Sequence, residues 1–250
     1  MSHLAGHTLL AKLGKKRLRP GGIKATKWLL EKIDLTDKKM LEVACNMGTT
    51  SIEIALKNDV EIDAIDLDPI ALTKARLTAK KLKLDHKINF LQADALKLPF
   101  DHNTYDCVLN EAMLTMLSNN NKEKAIQNYY DVLKPGGMLL THDVCLLTDD
   151  KILQKKIIKD LSRAINVHVE PKTVKDWEDS FSKFSSVQSF YGYMTLMNPK
   201  GMIDDEGLLN TLSIVRKGLF GKHKKQFKQM FKVFKKYKKY LGFIAICSVK

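Results

Sequence analysis

The chain holds 250 residues, 44% of them hydrophobic and 28% charged, with a formal net charge of +14. That composition excludes a disordered or collagen-like polymer and allows one core-bearing domain with appendages. No run approaches the ~18–20 apolar residues that cross a bilayer, and the basic residues near the N-terminus precede no long apolar segment, so neither a membrane span nor a secretory leader is expected. The charge is unevenly placed. Residues 1–39 hold ten Lys/Arg against three acids, residues 207–250 hold twelve against none, and the residues between carry a net −5. Only five of the basic residues are arginines (17, 19, 76, 163 and 216), whereas specific phosphate readers favour arginine forks. The basic ends therefore fit a solvated helix face as well as a polyanionic partner. Four cysteines, at 45, 107, 145 and 247, form no C-x-x-C pair and lie among apolar neighbours. This predicts buried thiols, a reducing cytoplasmic setting and no metal site.

In chain order, 4–14 reads as a helix, broken by Arg19-Pro-Gly-Gly22, and 23–33 as a second helix. An alternation then begins. Strands are expected at 39–44, 60–66, 88–92, 105–110 and 138–142, with helices at 51–57, 69–84 and 122–133 between them. Lys-Pro-Gly-Gly at 134–137 stops the last of these helices. Helices at 151–163 and 173–184 follow, then strands at 186–191 and 241–249. A long insert, 192–240, separates those two strands. It ends in a helix with Phe227, Met230, Phe231 and Phe234 at i, i+3, i+4, i+7 spacing and lysines elsewhere. The pattern predicts an α/β fold: a doubly wound, mostly parallel seven-stranded sheet with an N-terminal helical segment and a helical insert before the last strand. Three regions are expected: a cap at 1–36, an α/β core at 37–191 plus 241–250, and a basic helical insert at 192–240.

In such sheets ligands lie beyond the carboxyl ends of the strands. After the first strand comes Leu41-Glu-Val-Ala-Cys-Asn-Met-Gly48, a tight loop leading into a helix. After the second comes Ile65-Asp-Leu-Asp-Pro69, with Asp66 18 residues beyond Gly48. An acid there accepts hydrogen bonds from ribose hydroxyls, although Asp68 also suits a helix cap. Gln92-Ala-Asp-Ala95, Leu109-Asn-Glu-Ala112 and Leu133-Lys-Pro-Gly-Gly137 occupy the corresponding places further on.

Together these five ordered segments resemble the class I S-adenosylmethionine-dependent methyltransferases, whose first motif reads roughly E-x-G-x-G-x-G. Glu42 and Gly48 fit that motif, while Ala44 and Asn46 replace two glycines. A nicotinamide-binding Rossmann enzyme would expect three intact glycines, and this loop keeps only Gly48. The resemblance implies S-adenosylmethionine as cofactor. It implies cofactor contacts from Glu42, Ala44, Cys45, Asn46, Gly48 and Thr49, ribose binding by Asp66 with Leu67 on the adenine, adenine recognition by Asp94 and Ala95, and a contact from Asn110.

Methyl transfer from a sulfonium is an in-line displacement, so the protein mainly aligns the reactants and excludes water. Glu111, His142 and Asp143, at the ends of strands four and five, are the catalytic candidates. Glu111 equally suits the methionyl amino group, and His142-Asp143 equally suits a polar strand end. Arg17 and Arg19 can form a fork for an anionic acceptor or a basic surface turn, with Gly21-Gly22 as a hinge. His3 and His7 can overlie the site or sit on the surface. Tyr191, Tyr193 and Met197 can wall an acceptor pocket or pack helices.

The Asn-Pro-Pro-aromatic motif of nucleic-acid amino methylation is absent after strand four, as is a Pro-Cys loop. The arrangement resembles small-molecule methyltransferases, including those of quinone biosynthesis. The expected partner is a small-molecule acceptor rather than nucleic acid. The alternatives are an RNA or protein methyltransferase using the basic C-terminal helix, and a membrane-surface enzyme acting on a lipophilic acceptor, with weak bilayer contact. Oligomeric state is open.

Overall fold

The computed structural model describes residues 4–250; His3 lies outside them. The alternation read from the sequence forms a sheet in the order β3-β2-β1-β4-β5-β8-β7. Five strands run parallel: β1 (Lys38–Val43), β2 (Val60–Asp66), β3 (Ile88–Gln92), β4 (Tyr105–Glu111) and β5 (Leu133–Leu146). The last strand, β8 (Leu241–Val249), lies antiparallel between β5 and β7 (Ser186–Tyr193). A two-residue strand, β6 (Lys172–Thr173), pairs with the end of β5 and has no clear periodic signal. Strand β5 outruns its expected end at residue 142 because β8 pairs with it from Met138 to Leu146.

Helices cover both faces. On one, α2 (Gly22–Leu30), α3 (Thr49–Ala55) and α4 (Pro69–Lys81) bury Leu29, Ile52 and Leu72 against Met40, Ile62 and Leu109. On the other, α5 (Asn119–Val132) and α7 (Val174–Asp179) bury Tyr129 and Trp177 against Val108 and Ile244. Burying such side chains contributes about 1.5–3 kcal/mol each before ordering costs. Local signals set the helix starts. Asp68 accepts from Ile70 N at 2.8 Å with Pro69 in the first turn of α4, and Asp150 caps α6 (Lys151–Ile165).

The N-terminal segment is not a separate lid. Helix α1 (Gly6–Leu13) packs Leu9, Leu10 and Leu13 into one core with Met202, Ile214, Phe227 and Met230 of the insert helices α8 (Pro199–Glu206), α9 (Leu208–Phe220) and α10 (Lys224–Lys236). Lys15, fully buried, is paired with Asp205 at 3.2 Å and Glu206 at 3.6 Å. The expected Gly21-Gly22 hinge is closed on both sides. A Cβ on Gly21 would stand 2.5 Å from the Phe243 ring, and Gly22, at φ +58°, packs against the Asp205 carboxylate. No described helix is long and apolar enough to cross a membrane.

Candidate active site

Strand order reverses between β1 and β4, and this switch point is where an open α/β sheet leaves a crevice. The loop leaving β1 alternates left-handed residues: Ala44 at φ 58°, Asn46 at φ 50° and Gly48 at φ 68°. These are the glycine positions of the motif. The same backbone path is kept by the smallest chiral residue and by an asparagine, which tolerates this region. Gly48 has a second constraint, since a Cβ would meet Phe90 at 2.6 Å.

Asp66 closes the cradle. Its Oδ2 accepts from Asn46 N at 2.8 Å and its Oδ1 from Asp68 N at 2.9 Å. Two of a carboxylate's roughly four lone-pair sites stay free for ribose hydroxyls. Beyond the neighbouring strand, Asp94 accepts from Leu96 N at 2.9 Å and is otherwise exposed. Ala95 is buried, with its carbonyl accepting from Asn128. Leu67, 64% exposed, offers an apolar plate between these two acids in sequence. Left-handed backbone, two acceptor carboxylates and an apolar plate are a donor set that fits an adenosine group. Thr49 begins α3 at the cradle's edge. Cys45 is buried with its N–H donating to Ile65 O at 2.9 Å; burial pushes its thiol pKa up.

Glu42, at the end of β1, is buried and accepts from the Ser51 hydroxyl. Burial, only partly offset by Ser51, pushes its pKa up to about 7. Asn110 is fully buried; its Nδ2 donates to Thr141 Oγ1 at 2.9 Å, and its Oδ1 has no partner in the structure.

Glu111 is the hub of the β4–β5 side. Its Oε2 lies 2.8 Å from Arg19 Nε and accepts from Thr50 at 3.1 Å, and its Oε1 accepts from Thr26. Arg19 in turn donates to Thr26 and Thr50. Burial would raise the Glu111 pKa, but the Arg19 guanidinium and the bonds from His142 and Thr26 bring it down to about 2. Gly21 N donates to His142 Nε2 at 2.9 Å, so the hydrogen-bond pattern assigns the ring proton to Nδ1, which faces Glu111 Oε1 at 3.0 Å.

Several expectations change here. Both ring nitrogens of the fully buried His142 are engaged, so it is not free to act as a base. Arg19 holds Glu111 instead of an acceptor. Arg17 is tied to Glu53 and to the carbonyl of Asp205, 2.7 Å away. Tyr191 and Tyr193 stand exposed on the edge strand β7, and Met197 is buried in the cap's own core. None of the five expected acceptor residues faces the cavity described next.

That cavity, of about 100 Å³, lies beyond the end of β4 and beside the last residues of β5. Its wall includes His7 and Leu10 of α1, Ala112 and Thr115, Asp143 of β5, and Met230 of α10. Asp143 accepts from Thr115 N at 3.0 Å and Val144 N at 2.7 Å, as well as from the Thr115 hydroxyl. Burial raises its pKa against those bonds. His7 is held below its ordinary pKa by desolvation, offset in part by Asp66 and Asp68. Thr26, Thr50 and Thr115 are the residues that sequence reasoning missed, because an isolated threonine in or near a helix carries no distinguishing pattern.

A family model described as a methyltransferase domain matches residues 40–137. The chain is 49% identical to an uncharacterized protein of Haemophilus influenzae over 98% of both chains. It is 31% identical to a ubiquinone/menaquinone biosynthesis C-methyltransferase of Klebsiella pneumoniae over 58% of this chain and 55% of that one. The match thus spans about half the length of that curated relative. A methyltransferase of Geobacter sulfurreducens, solved with S-adenosyl-L-homocysteine, superposes with a TM-score of 0.71 at 15% identity, covering 97% of this chain and 96% of that one. Residues 40–137 thus match a methyltransferase domain, and the chain has the fold of an S-adenosylmethionine-dependent methyltransferase.

Proposed function

With that fold and domain match as the premise, we propose that the chain binds S-adenosylmethionine and methylates a small, largely apolar acceptor held in the cavity beneath α1 and α10. The observation that carries this reading is the wall itself: Leu10, Met194, Met230 and Phe234 surround a space whose ionisable lining groups are His7 and Asp143. A cavity of this size suits a compact ring or short chain, and a nucleic-acid strand or protein segment would need an open groove. The 31% likeness to a quinone-pathway C-methyltransferase supports an acceptor of that general kind.

Bound S-adenosylmethionine supplies the activated methyl group. The chain's own contribution is placement. Asp66 and Asp94 fix the adenosine end, and the left-handed loop lets the backbone approach it closely. The Arg19–Glu111–His142 cluster stiffens the floor between cradle and cavity without itself exchanging protons. Helices α1 and α10 exclude water from above. Where the acceptor must lose a proton, His7 is the group to take it: desolvation favours its neutral ring, and it lines the cavity while part of the side chain stays exposed to solvent.

The test is a methyl-transfer screen of metabolite extract with labelled cofactor, before and after nuclease and protease treatment. Label in a small molecule that survives both is the expected result; label that disappears with either treatment overturns the reading. With the acceptor in hand, His7→Gln should lower kcat by roughly 10²-fold or more while leaving cofactor affinity unchanged. Unchanged kcat removes the base from His7.

A further inference from the structure

The C-terminal basic segment has an outer surface that methyl transfer does not use. The apolar stripe of α10 that the sequence offers to a partner is already taken: Phe227 and Met230 are buried in the cap core. A different apolar set faces outward. On α9, Leu209 (83% exposed), Leu212 (59%) and Phe220 (80%) recur at positions that share one helix face, with Arg216 among them. Leu208 lies beside them. Lys222, Lys224 and Lys225 follow directly, and Lys228, Lys232 and Lys235 are exposed around Phe231 on α10. No acid occurs anywhere from 207 to 250.

We infer that the outer face of α9 and α10 docks on an anionic lipid bilayer. Leucine and phenylalanine side chains held out in water gain by entering the acyl boundary, and a lysine field that meets Asp160 at Lys236 and contains no acid of its own is attracted to anionic headgroups. The combination selects the occupant. A nucleic acid would satisfy the lysines but leave Leu209 and Leu212 in water, and only one arginine serves this surface. An uncharged apolar partner would leave the lysines without counter-charge. The inner side of α10 lines the acceptor cavity with Met230 and Phe234, so the same helix stands between bilayer and site. The docking rests on this surface alone and is read without catalysis, so its failure is distinct from failure of the acceptor reading.

The full chain is sedimented with phosphatidylcholine vesicles, with and without phosphatidylglycerol. At least roughly tenfold stronger partitioning to the anionic vesicles is expected. Leu209→Ser with Phe220→Ser, and separately Lys224→Glu with Lys225→Glu and Lys228→Glu, should each reduce it about tenfold or more with Tm and cofactor affinity unchanged. No partitioning of the wild-type chain overturns the inference. So does partitioning that survives the two serine substitutions, which would be charge attraction without insertion. Tighter binding to transfer RNA than to the vesicles, or a dimer in sedimentation velocity that those serine substitutions dissolve, would assign the face to another occupant and overturn it as well.

Discussion

The proposed cofactor cradle and the floor beside the proposed acceptor cavity lie on either side of the β1/β4 switch point and are held in opposite ways. The cradle is local: Glu42 to Gly48 is one loop, and Asp66 reaches it from the next strand through a single backbone N–H. The floor is distant: Gly21 N meets His142 Nε2 across 121 positions, and Glu111 joins α2, α3, β4 and β5 through Arg19, Thr26, Thr50 and His142. One side relies on backbone conformation in partly exposed positions. The other relies on a buried ion pair, whose loss is costly because each charge has been taken out of water. Substitutions on the two sides should therefore differ in size and in what they affect.

The largest effect is expected on the floor. Glu111→Gln leaves the Arg19 guanidinium buried without a counter-charge and should cost about 3–5 kcal/mol of stability, measured by urea unfolding at pH 7. Breaking the exposed pair of Lys236 and Asp160, 2.8 Å apart, should cost less than about 1 kcal/mol by the same measurement. The pH dependence carries the same signature. The Glu111 pKa is lowered to about 2 in the folded chain, so its contribution is present above the ordinary carboxylate range and lost as pH falls towards 2. The variant should lack that acid-side loss. Equal costs for the two substitutions would show that the buried pair is worth no more than an exposed one.

Glu42 sits on the boundary and has the opposite sign. Its pKa is raised to about 7, so its contribution is fully present below about 4.5 and lost as pH rises through 7. Glu42→Gln keeps an acceptor for Ser51 and removes the buried charge. It should match the wild-type chain near pH 4.5 and exceed it above pH 7, by up to about 3 kcal/mol. A stability difference that does not vary with pH would mean that Glu42 is ionised throughout.

This contrast also explains what the sequence disclosed. The sheet was legible because buried parallel strands and amphipathic helices repeat with periods of 2 and 3.6. The left-handed path through Ala44, Asn46 and Gly48 was legible because a single loop keeps its spacing in the chain. The partners of Arg19 were not. An arginine carries no mark of whether it will face an acceptor or a carboxylate 92 positions away, and only the packing of α2 on β5 decides it. Tyr191 and Tyr193 misled for a related reason: composition suggested a wall, but β7 is the sheet edge and holds them in solvent. Met194 and Leu196, just past that strand, are the residues from this stretch that reach the cavity.

On the cradle side, effects should fall on binding more than on folding. Asp66→Ala removes the acceptor of one loop N–H and the proposed acceptor for the ribose hydroxyls. It should weaken S-adenosylmethionine binding by roughly 1.5–3 kcal/mol, the scale of hydrogen bonds to a charged group. Isothermal calorimetry reads this directly. Unchanged affinity would move the ribose elsewhere and break the comparison on its cofactor side.

The smallest effect tests whether the loop's conformation is itself the device. Ala44 holds φ 58°, a region that costs a residue with a Cβ about 1–2 kcal/mol. Ala44→Gly relieves that strain, while the glycine adds about 0.5–1 kcal/mol of unfolded-chain entropy, so a net gain of up to about 1 kcal/mol is expected. Asn46→Gly should gain less. Asparagine already tolerates φ 50°, and the substitution removes the acceptor that its Oδ1 offers Met47 N at 2.8 Å. The urea midpoints of the two variants should therefore separate, with Ala44→Gly the higher and the slopes unchanged. Coincident midpoints would mean that the surrounding strands, rather than these two residues, set the path of the loop.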